Sequence, residues 1–319
     1  MPITSTFLRQ KLADLRKKHP HAGQFCFFTD TENLPAIFKA GKLLCRSGVQ
    51  KQNLLRRDCA SQEVLQATPA WVHDYVRLYF APLTPMLYRV EGIKRTPDQW
   101  PECPRPVYIG FDPGILTVKG IRVSNGNMAS KGTICQEATD AFFDQLPFDH
   151  IFHRSVVPKY SAAESALGVD PDARQLGSRR HAEVLIPREL SLGFARRLVF
   201  RSEAERDLAQ RDVHRIPTHL KVELKSDWFF ANRRRRPYLK SFSFERDGTF
   251  EVENALRGDQ VVRVEQSRPH GLRAWIKTYD GSSWTAWKTA DQADLAVPTP
   301  RLGRRAYYLL GHRVAEEDV

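Results

Sequence analysis

The chain has 319 residues, of which 41% are hydrophobic and 27% charged. That is long enough for two domains and at least one well-buried core, and too apolar for an intrinsically disordered chain. Lys and Arg outnumber Asp and Glu by 49 to 37, and the net charge of +12 favours a polyanionic partner, nucleic acid above all, although solubility or compositional bias would also raise it.

Residues 1–20 mix Arg9, Lys11, Arg16, Lys17 and Lys18 with Leu8, Leu12 and Leu15. The pattern predicts a short basic amphipathic helix rather than a signal peptide, and no apolar run is long enough to span a bilayer. A cytoplasmic protein without membrane contact is expected. The cysteines Cys26, Cys45, Cys59, Cys103 and Cys135 are scattered and form no CxxC pair, so reduced thiols and no metal are expected.

Gln24 to Phe28 reads as a strand. The polar run Thr29 to Asn33 then offers caps for a helix from Leu34 to Ala40, with Leu34, Ile37 and Phe38 inward and Gly41 as its stop. Residues 45–70 are basic and Gln-rich and read as a loop with one helix from Ala60 to Gln66. Val76 to Phe80 is a short apolar run typical of a buried strand, and Pro82 and Pro85 force a rigid turn that carries Met86, Leu87 and Tyr88.

Val107 to Phe111 predicts another strand, Ser124 to Asn127 a turn, and Thr139 to Leu146 a helix facing Ala141, Phe142 and Leu146 inward. From Ser155 to Arg180 the chain reads as a long irregular loop, broken by Pro158, Gly168, Pro171 and Gly177; loops of that length are more often functional than not. It leads into the strand Ala182 to Pro187. Strands at Arg196 to Phe200 and Leu220 to Leu224 flank a charged helix at Glu203 to Val213. The block Arg233 to Arg236, ended by Pro237, marks a boundary, with a basic linker at 231–236. Beyond it, alternation around Phe242, Phe250, Val262, Val264, Ala274 and Ile276 predicts a small all-β module of about five strands over 237–319.

Glu183 is the most suggestive single group. It opens an apolar strand after the long loop, with Arg179, Arg180 and His181 just before it, so a rigid backbone would hold the carboxylate while its neighbours move. The alternative is a surface ion pair with Arg179 or Arg180. His73 and Asp74 are adjacent on a strand and point to opposite faces, which favours a packed histidine over an acid–base pair. Cys26 and Cys45 suit small core positions better than nucleophiles. Arg233 to Arg236 reads as a solvated linker or, beside Trp275, Trp284 and Trp287, as a nucleic-acid groove; those tryptophans suit the module's core equally well.

The run His73-Asp74-Tyr75-Val76, Tyr79-Phe80, Pro82 and Pro85-Met86-Leu87-Tyr88 resembles the signature of the DarT family, NAD-dependent DNA ADP-ribosyltransferase toxins. Three more blocks agree in order. Thr29, Asn33, Leu34, Ile37, Gly41, Leu43 and Leu44 resemble the family's NAD-binding block; Arg179, Ala182, Glu183 and Leu185 resemble the block of its catalytic glutamate; Lys225 and Asp227 to Phe230 resemble its closing strand.

The resemblance covers roughly residues 24–230 and implies an α+β, ADP-ribosyltransferase-like fold. Two packed sheets would clamp NAD, with a mobile loop before the glutamate recognising the target. It implies a DarT-like domain over 1–230 that moves ADP-ribose from NAD onto a base of single-stranded DNA, as a toxin or phage-defence effector paired with a macrodomain antitoxin. Glu183 would be the catalytic carboxylate. Thr29, Asn33, Phe28, Tyr75, Phe80, Met86 and Tyr88 would line the NAD pocket, and Arg179, His181, Arg234 and Arg235 would touch nucleic acid. Glu183→Ala is expected to abolish transfer and spare folding.

Two positions depart from the family pattern. Phe27 stands where a ribose-binding histidine is usual, and an arginine usual near residues 64–66, where it helps orient NAD, is missing, so that Arg56 or Arg57 substitutes for it or nothing does. These departures leave open RNA or a free nucleotide as the target, or a nucleic-acid-binding protein that has lost transfer activity.

Overall fold

The computed structural model describes residues 2–60, 62–91, 102–153, 171–213 and 215–230, and strand segments between 238 and 318. The chain divides into two compact units. One comprises Met1–Val199 with Ile216–Glu223, the other Phe200–Arg215 with Leu224–Val319.

The first unit is built on an eight-stranded sheet. Its strands are β1 (Phe25–Asp30), β3 (Tyr75–Tyr79), β4 (Pro106–Phe111), β5 (Arg122–Ser124), β6 (Cys135–Glu137), β7 (Glu183–Pro187), β9 (Ala195–Phe200) and β10 (Lys221–Leu224), in the order β10-β9-β4-β1-β3-β7-β5-β6. A separate two-stranded sheet pairs β2 (Lys42–Leu44) with β8 (Glu189–Ser191). Every residue of β4 is buried, as expected for a central strand covered on both faces. Cys26 pairs with Tyr79 and Tyr79 with Glu183, so one row of side chains crosses β1, β3 and β7 on a single face.

The strand period then decides which aromatic goes where. Tyr79 lies on the face of Glu183, and Phe80 turns to the other. There its ring meets Phe25 edge-on at 5.3 Å and packs against Phe143 and Phe148. Helices α6 (Asp140–Asp144) and α7 (Phe148–Ile151) supply those last two rings. α1 (Ser5–Lys18) buries Leu8 and Leu12, and its N-cap Thr4 also bonds Asp140 at the start of α6.

Several elements differ from the sequence reading. Residues 45–70 hold α3 (Arg46–Lys51) and α4 (Gln62–Ala67), not one helix. Met86, Leu87 and Tyr88 lie in α5 (Pro85–Val90), since Thr84 caps its N-terminus and Pro85 occupies the first turn, where a missing N–H costs nothing. In α6 the buried residue is Phe143, while Ala141 is exposed and Phe142 only half-buried. The stretch before Glu183 is the helix α8 (Pro171–Arg179), again opened by a proline. Residues 154–170 of the expected loop lie outside the described residues. Ser226–Trp228 is a 3-10 turn rather than part of a closing strand.

In the second unit, α9 (Glu203–Asp212) is capped by Ser202 and buries Ala204, Glu205, Leu208 and Ala209. Arg201 pairs with Glu205 and lies over the Tyr238 ring at 4.6 Å. β11 (Tyr238–Ser243) pairs with β12 (Thr249–Glu253). β13 (Gln260–Arg268), β14 (Gly271–Tyr279), β15 (Lys288–Thr289), β16 (Arg304–Leu309) and β17 (His312–Asp318) form a five-stranded sheet. No described helix is long and apolar enough to cross a membrane.

Candidate active site

A cavity of about 200 Å³ opens beside β1 and β3 in the first unit; Phe27, Phe28, Thr29, Asn33, Arg57, His73, Tyr75, Arg77, Tyr79 and Met86 are among its walls. Each wall has a local cause. β1 runs out into a 3-10 turn over Thr31–Asn33, capped by the Asp30 carboxylate, and this turn fixes Asn33 at the cavity edge. Asn33 does not cap α2 (Leu34–Ala40). Its amide N–H groups donate to Thr29 Oγ1 (2.9 Å) and the Arg57 carbonyl (2.8 Å), and its carbonyl oxygen accepts from the Arg56 and Arg57 backbone N–H groups. One side chain thus clamps the 56–57 segment onto β1. Arg57 itself bonds Glu32 at 3.0 Å, and Glu32 Oε1 also accepts from Arg105 at 2.8 Å. Burial works against the Glu32 charge, but its bonds to these two guanidinium groups prevail and lower its pKa.

Glu183 lies behind the wall. Its side chain is only 1% exposed, and both carboxylate oxygens are taken by Arg77, with Nε at 2.5 Å from Oε2 and Nη2 at 2.7 Å from Oε1. A bidentate, charge-assisted pair of this kind fixes orientation as well as distance. Arg77 comes from β3 and pairs across with Leu185, so it reaches Glu183 diagonally on the same face. Its side chain is 20% exposed and faces the cavity, so the guanidinium stands between the cavity and the carboxylate. Burial opposes the Arg77 charge, but the carboxylate more than offsets this and raises its pKa. The Glu183 backbone N–H donates to Ser124 Oγ, and the Met128 N–H points at Oε1 from 3.4 Å. Burial also raises the Tyr79 hydroxyl's pKa, which keeps it protonated at neutral pH.

The cavity therefore brings together Phe28, Thr29, Asn33, Tyr75 and Met86, with Glu183 reached through Arg77. Phe80 is a correction: strand alternation buries it in the aromatic core on the opposite face, where it cannot stack a ligand in this cavity. Tyr88 is half-buried on α5 and does not line the cavity. Arg179 donates to the Asn125 carbonyl. The next residue, Arg180, donates to the carbonyls of Leu83 and His153, which ties the turn before β7 to the left-handed Leu83 (φ 60°).

His181 is half-buried, bonded through Nδ1 to the Gly177 carbonyl at 2.9 Å and edge-on to Tyr79. Burial, assisted by the charges of Arg180 and Arg77, pushes its pKa down to about 4, so near neutrality it presents a neutral ring and no cation for a phosphate. Arg234 and Arg235 lie outside the described residues.

The sequence reading missed Arg77 and read His73 as a packed residue, whereas Arg57, offered as a substitute for the missing arginine, does line the cavity. Arg77 had a signal of its own: a charged residue in an otherwise apolar buried strand needs a buried counter-charge. His73 faces the cavity, where burial and the nearby Arg46 and Arg77 charges lower its pKa. Among the described residues, no group of three or more His, Cys, Asp or Glu could hold a metal ion.

A family model described as "ssDNA thymidine ADP-ribosyltransferase, DarT" matches residues 26–230, nearly two thirds of the chain. The chain belongs to the DarT family. The enzyme class that goes with that family is an NAD-dependent DNA ADP-ribosyltransferase. Among solved structures, Thermus sp. 2.9 DarT in complex with ADP-ribosylated ssDNA is similar at a TM-score of 0.50 and 16% identity, over 66% of this chain and 98% of that one. The likeness shows a shared mixed α/β fold. The same Thermus DarT in complex with NAD+ gives 0.49 and 17%, over 66% and 99% of the two chains. Thermosipho africanus DarTG in complex with ADP-ribose gives 0.49 and 16%, over 65% and 51%. A search of curated proteins returned no match. All four DarT-like blocks lie within the matched residues, including Glu183 and its partner Arg77.

Proposed function

We propose that this chain transfers ADP-ribose from NAD to a base of single-stranded DNA, thymidine in the family's description, and releases nicotinamide. The observation that carries the reading is the buried Glu183 carboxylate, gripped at both oxygens behind a cavity that Phe28, Thr29, Asn33, Tyr75 and Met86 line inside the family-matched segment. In the reaction, the bond between the ribose anomeric carbon and the nicotinamide nitrogen breaks, and its electron pair leaves with nicotinamide. A base nitrogen or oxygen forms the new bond and gives up a proton. The sugar passes through an oxocarbenium-like state, as in glycoside hydrolysis.

Glu183, bonded to a ribose hydroxyl, stabilises the growing positive charge and accepts the proton from the base. Because Arg77 bonds both oxygens, its guanidinium must share or yield one of them as the sugar enters. Thr29 and Asn33 hold the ribose and nicotinamide end, and Phe28, Tyr75 and Met86 pack against the ring. The expected cellular role is that of a toxin or phage-defence effector opposed by a macrodomain antitoxin. Residues 237–319, with Arg234 and Arg235 before them, add nucleic-acid contact.

Mass spectrometry of oligonucleotides treated with protein and NAD tests the reading. A gain of one ADP-ribose unit on a base of DNA is expected, with none on parallel RNA or free nucleosides. Label on RNA or a nucleoside alone would overturn the DNA assignment, and no nicotinamide release under any condition would overturn the transferase reading.

A further inference from the structure

Next to the cavity wall stands an aromatic group that the proposed reaction leaves unused. Trp71 is 41% exposed, among the most exposed large apolar residues described. It lies in the 3-10 turn Ala70–Asp74 that leads into β3. Its ring meets that of Tyr75, a cavity-lining residue, at 5.6 Å and nearly perpendicular. The Arg122 guanidinium lies over the indole, 5.3 Å from its centroid.

Arg122 is itself anchored, with Nη2 donating to the Cys135 carbonyl at 3.0 Å. Its buried Nε has no hydrogen-bond partner among the described residues. The register places this pair: Arg122 on β5 lies opposite Leu185 on β7, two residues from Glu183 on the same face. By strand spacing, its Cα is roughly 8 Å from that of Glu183. The Trp71–Arg122 shelf therefore adjoins the cavity at Tyr75 and, through Arg122, reaches the sheet face that carries Glu183.

An open indole backed by a fixed cation is what an unpaired base and its phosphate need. Every base offers a π-face to stack, and the guanidinium supplies both cation–π contact and a charge for the backbone. In a chain of net charge +12, the fitting occupant is a strand of nucleic acid. We propose that Trp71, held by Arg122 and Tyr75, is a stacking shelf for a nucleotide flanking the acceptor base, and so sets how the single strand is threaded past Glu183. The proposal rests on the transferase reading for the direction of the strand, though binding at the shelf can be measured without turnover.

The test compares wild type, Trp71→Ala and Trp71→Phe. Affinity for a labelled single-stranded oligonucleotide is measured by fluorescence anisotropy without NAD, and KM values for oligonucleotide and for NAD are measured with both present. Trp71→Ala is expected to weaken oligonucleotide binding about ten-fold or more, with the KM for NAD unchanged, and Trp71→Phe to recover most of the loss. An abasic residue walked along the oligonucleotide should weaken wild-type binding at one flanking position where it costs Trp71→Ala nothing further.

Unchanged binding by Trp71→Ala overturns the shelf. So does an abasic penalty that adds to the substitution at every position, and so does a rise in the KM for NAD alone, which would give the indole to the dinucleotide's adenine. If wild type binds through Trp71 yet transfers no ADP-ribose, the transferase reading fails and the shelf stands. If it transfers ADP-ribose with Trp71 irrelevant to binding, only the shelf fails.

Discussion

At the scale of single residues, the structure changes what Glu183 can be expected to do when altered. A carboxylate opening a strand was expected to contribute little to the core. Instead it is buried and paired with Arg77, and removing one partner strands the other charge in a poorly solvated place. Glu183→Ala should therefore cost about 3 kcal/mol of stability as well as transfer, seen as a lowered midpoint in urea unfolding. Glu183→Gln keeps an acceptor for Arg77. With one acceptor kept but the counter-charge gone, it should lose less stability than Glu183→Ala while losing transfer at least about a hundred-fold, and a Gln variant retaining near-normal transfer would remove Glu183 from the chemistry.

His181 gives a pH signature. An imidazole in the unfolded chain takes up its proton near pH 6.5, whereas burial delays this to about pH 4 in the folded state. Between those values the unfolded state binds more protons, so stability falls as pH drops through the window. His181→Gln should flatten the stability profile between about pH 6.5 and pH 4 by up to one proton, measured by unfolding at stepped pH; identical slopes would mean the ring is solvated. Glu183 could be read from its place in the chain, but Arg77 could not be assigned to it. The two are 106 positions apart, and only the pairing of β3 with β7 brings them together.

At the scale of elements, the chain's punctuation was legible where it acts locally. Gly41 takes the left-handed conformation that ends α2, short apolar runs mark β1, β3, β4 and β7, and alternation marks β9. Proline misled twice, before α5 and α8, because at a first helical turn it starts a helix instead of ending one. Asn33 looked like a cap and is instead a clamp between β1 and the 56–57 segment. Its four bonds are long-range on one side, which no local pattern announces. Asn33→Ala leaves buried backbone groups unpaired and should cost about 2 kcal/mol. It should also raise the KM for NAD, since Arg57 on the cavity wall loses its tether. An unchanged melting temperature and KM would show that the clamp does not shape the cavity.

At the scale of the whole molecule, the family-matched segment and the compact units do not end in the same place. The family match runs to residue 230, yet α9, inside it, is grouped with the second unit and touches β11 and β17. Ending the chain at residue 230 would bare the α9 surface those strands contact. The shortened protein should lose stability and gain binding of a hydrophobic dye relative to the full chain, and a 1–230 fragment melting like the full protein would show that α9 needs no strands beyond it.

The path of the backbone carries this further. It passes from one unit to the other at 199/200, 215/216 and 223/224, so no single scission sets either free. A nick anywhere in the Arg-rich stretch would leave residues 200–215 covalently joined to the half that bears Glu183. The two bodies are stitched, and a protease or an evolutionary truncation has to cut in more than one place to trade one of them away.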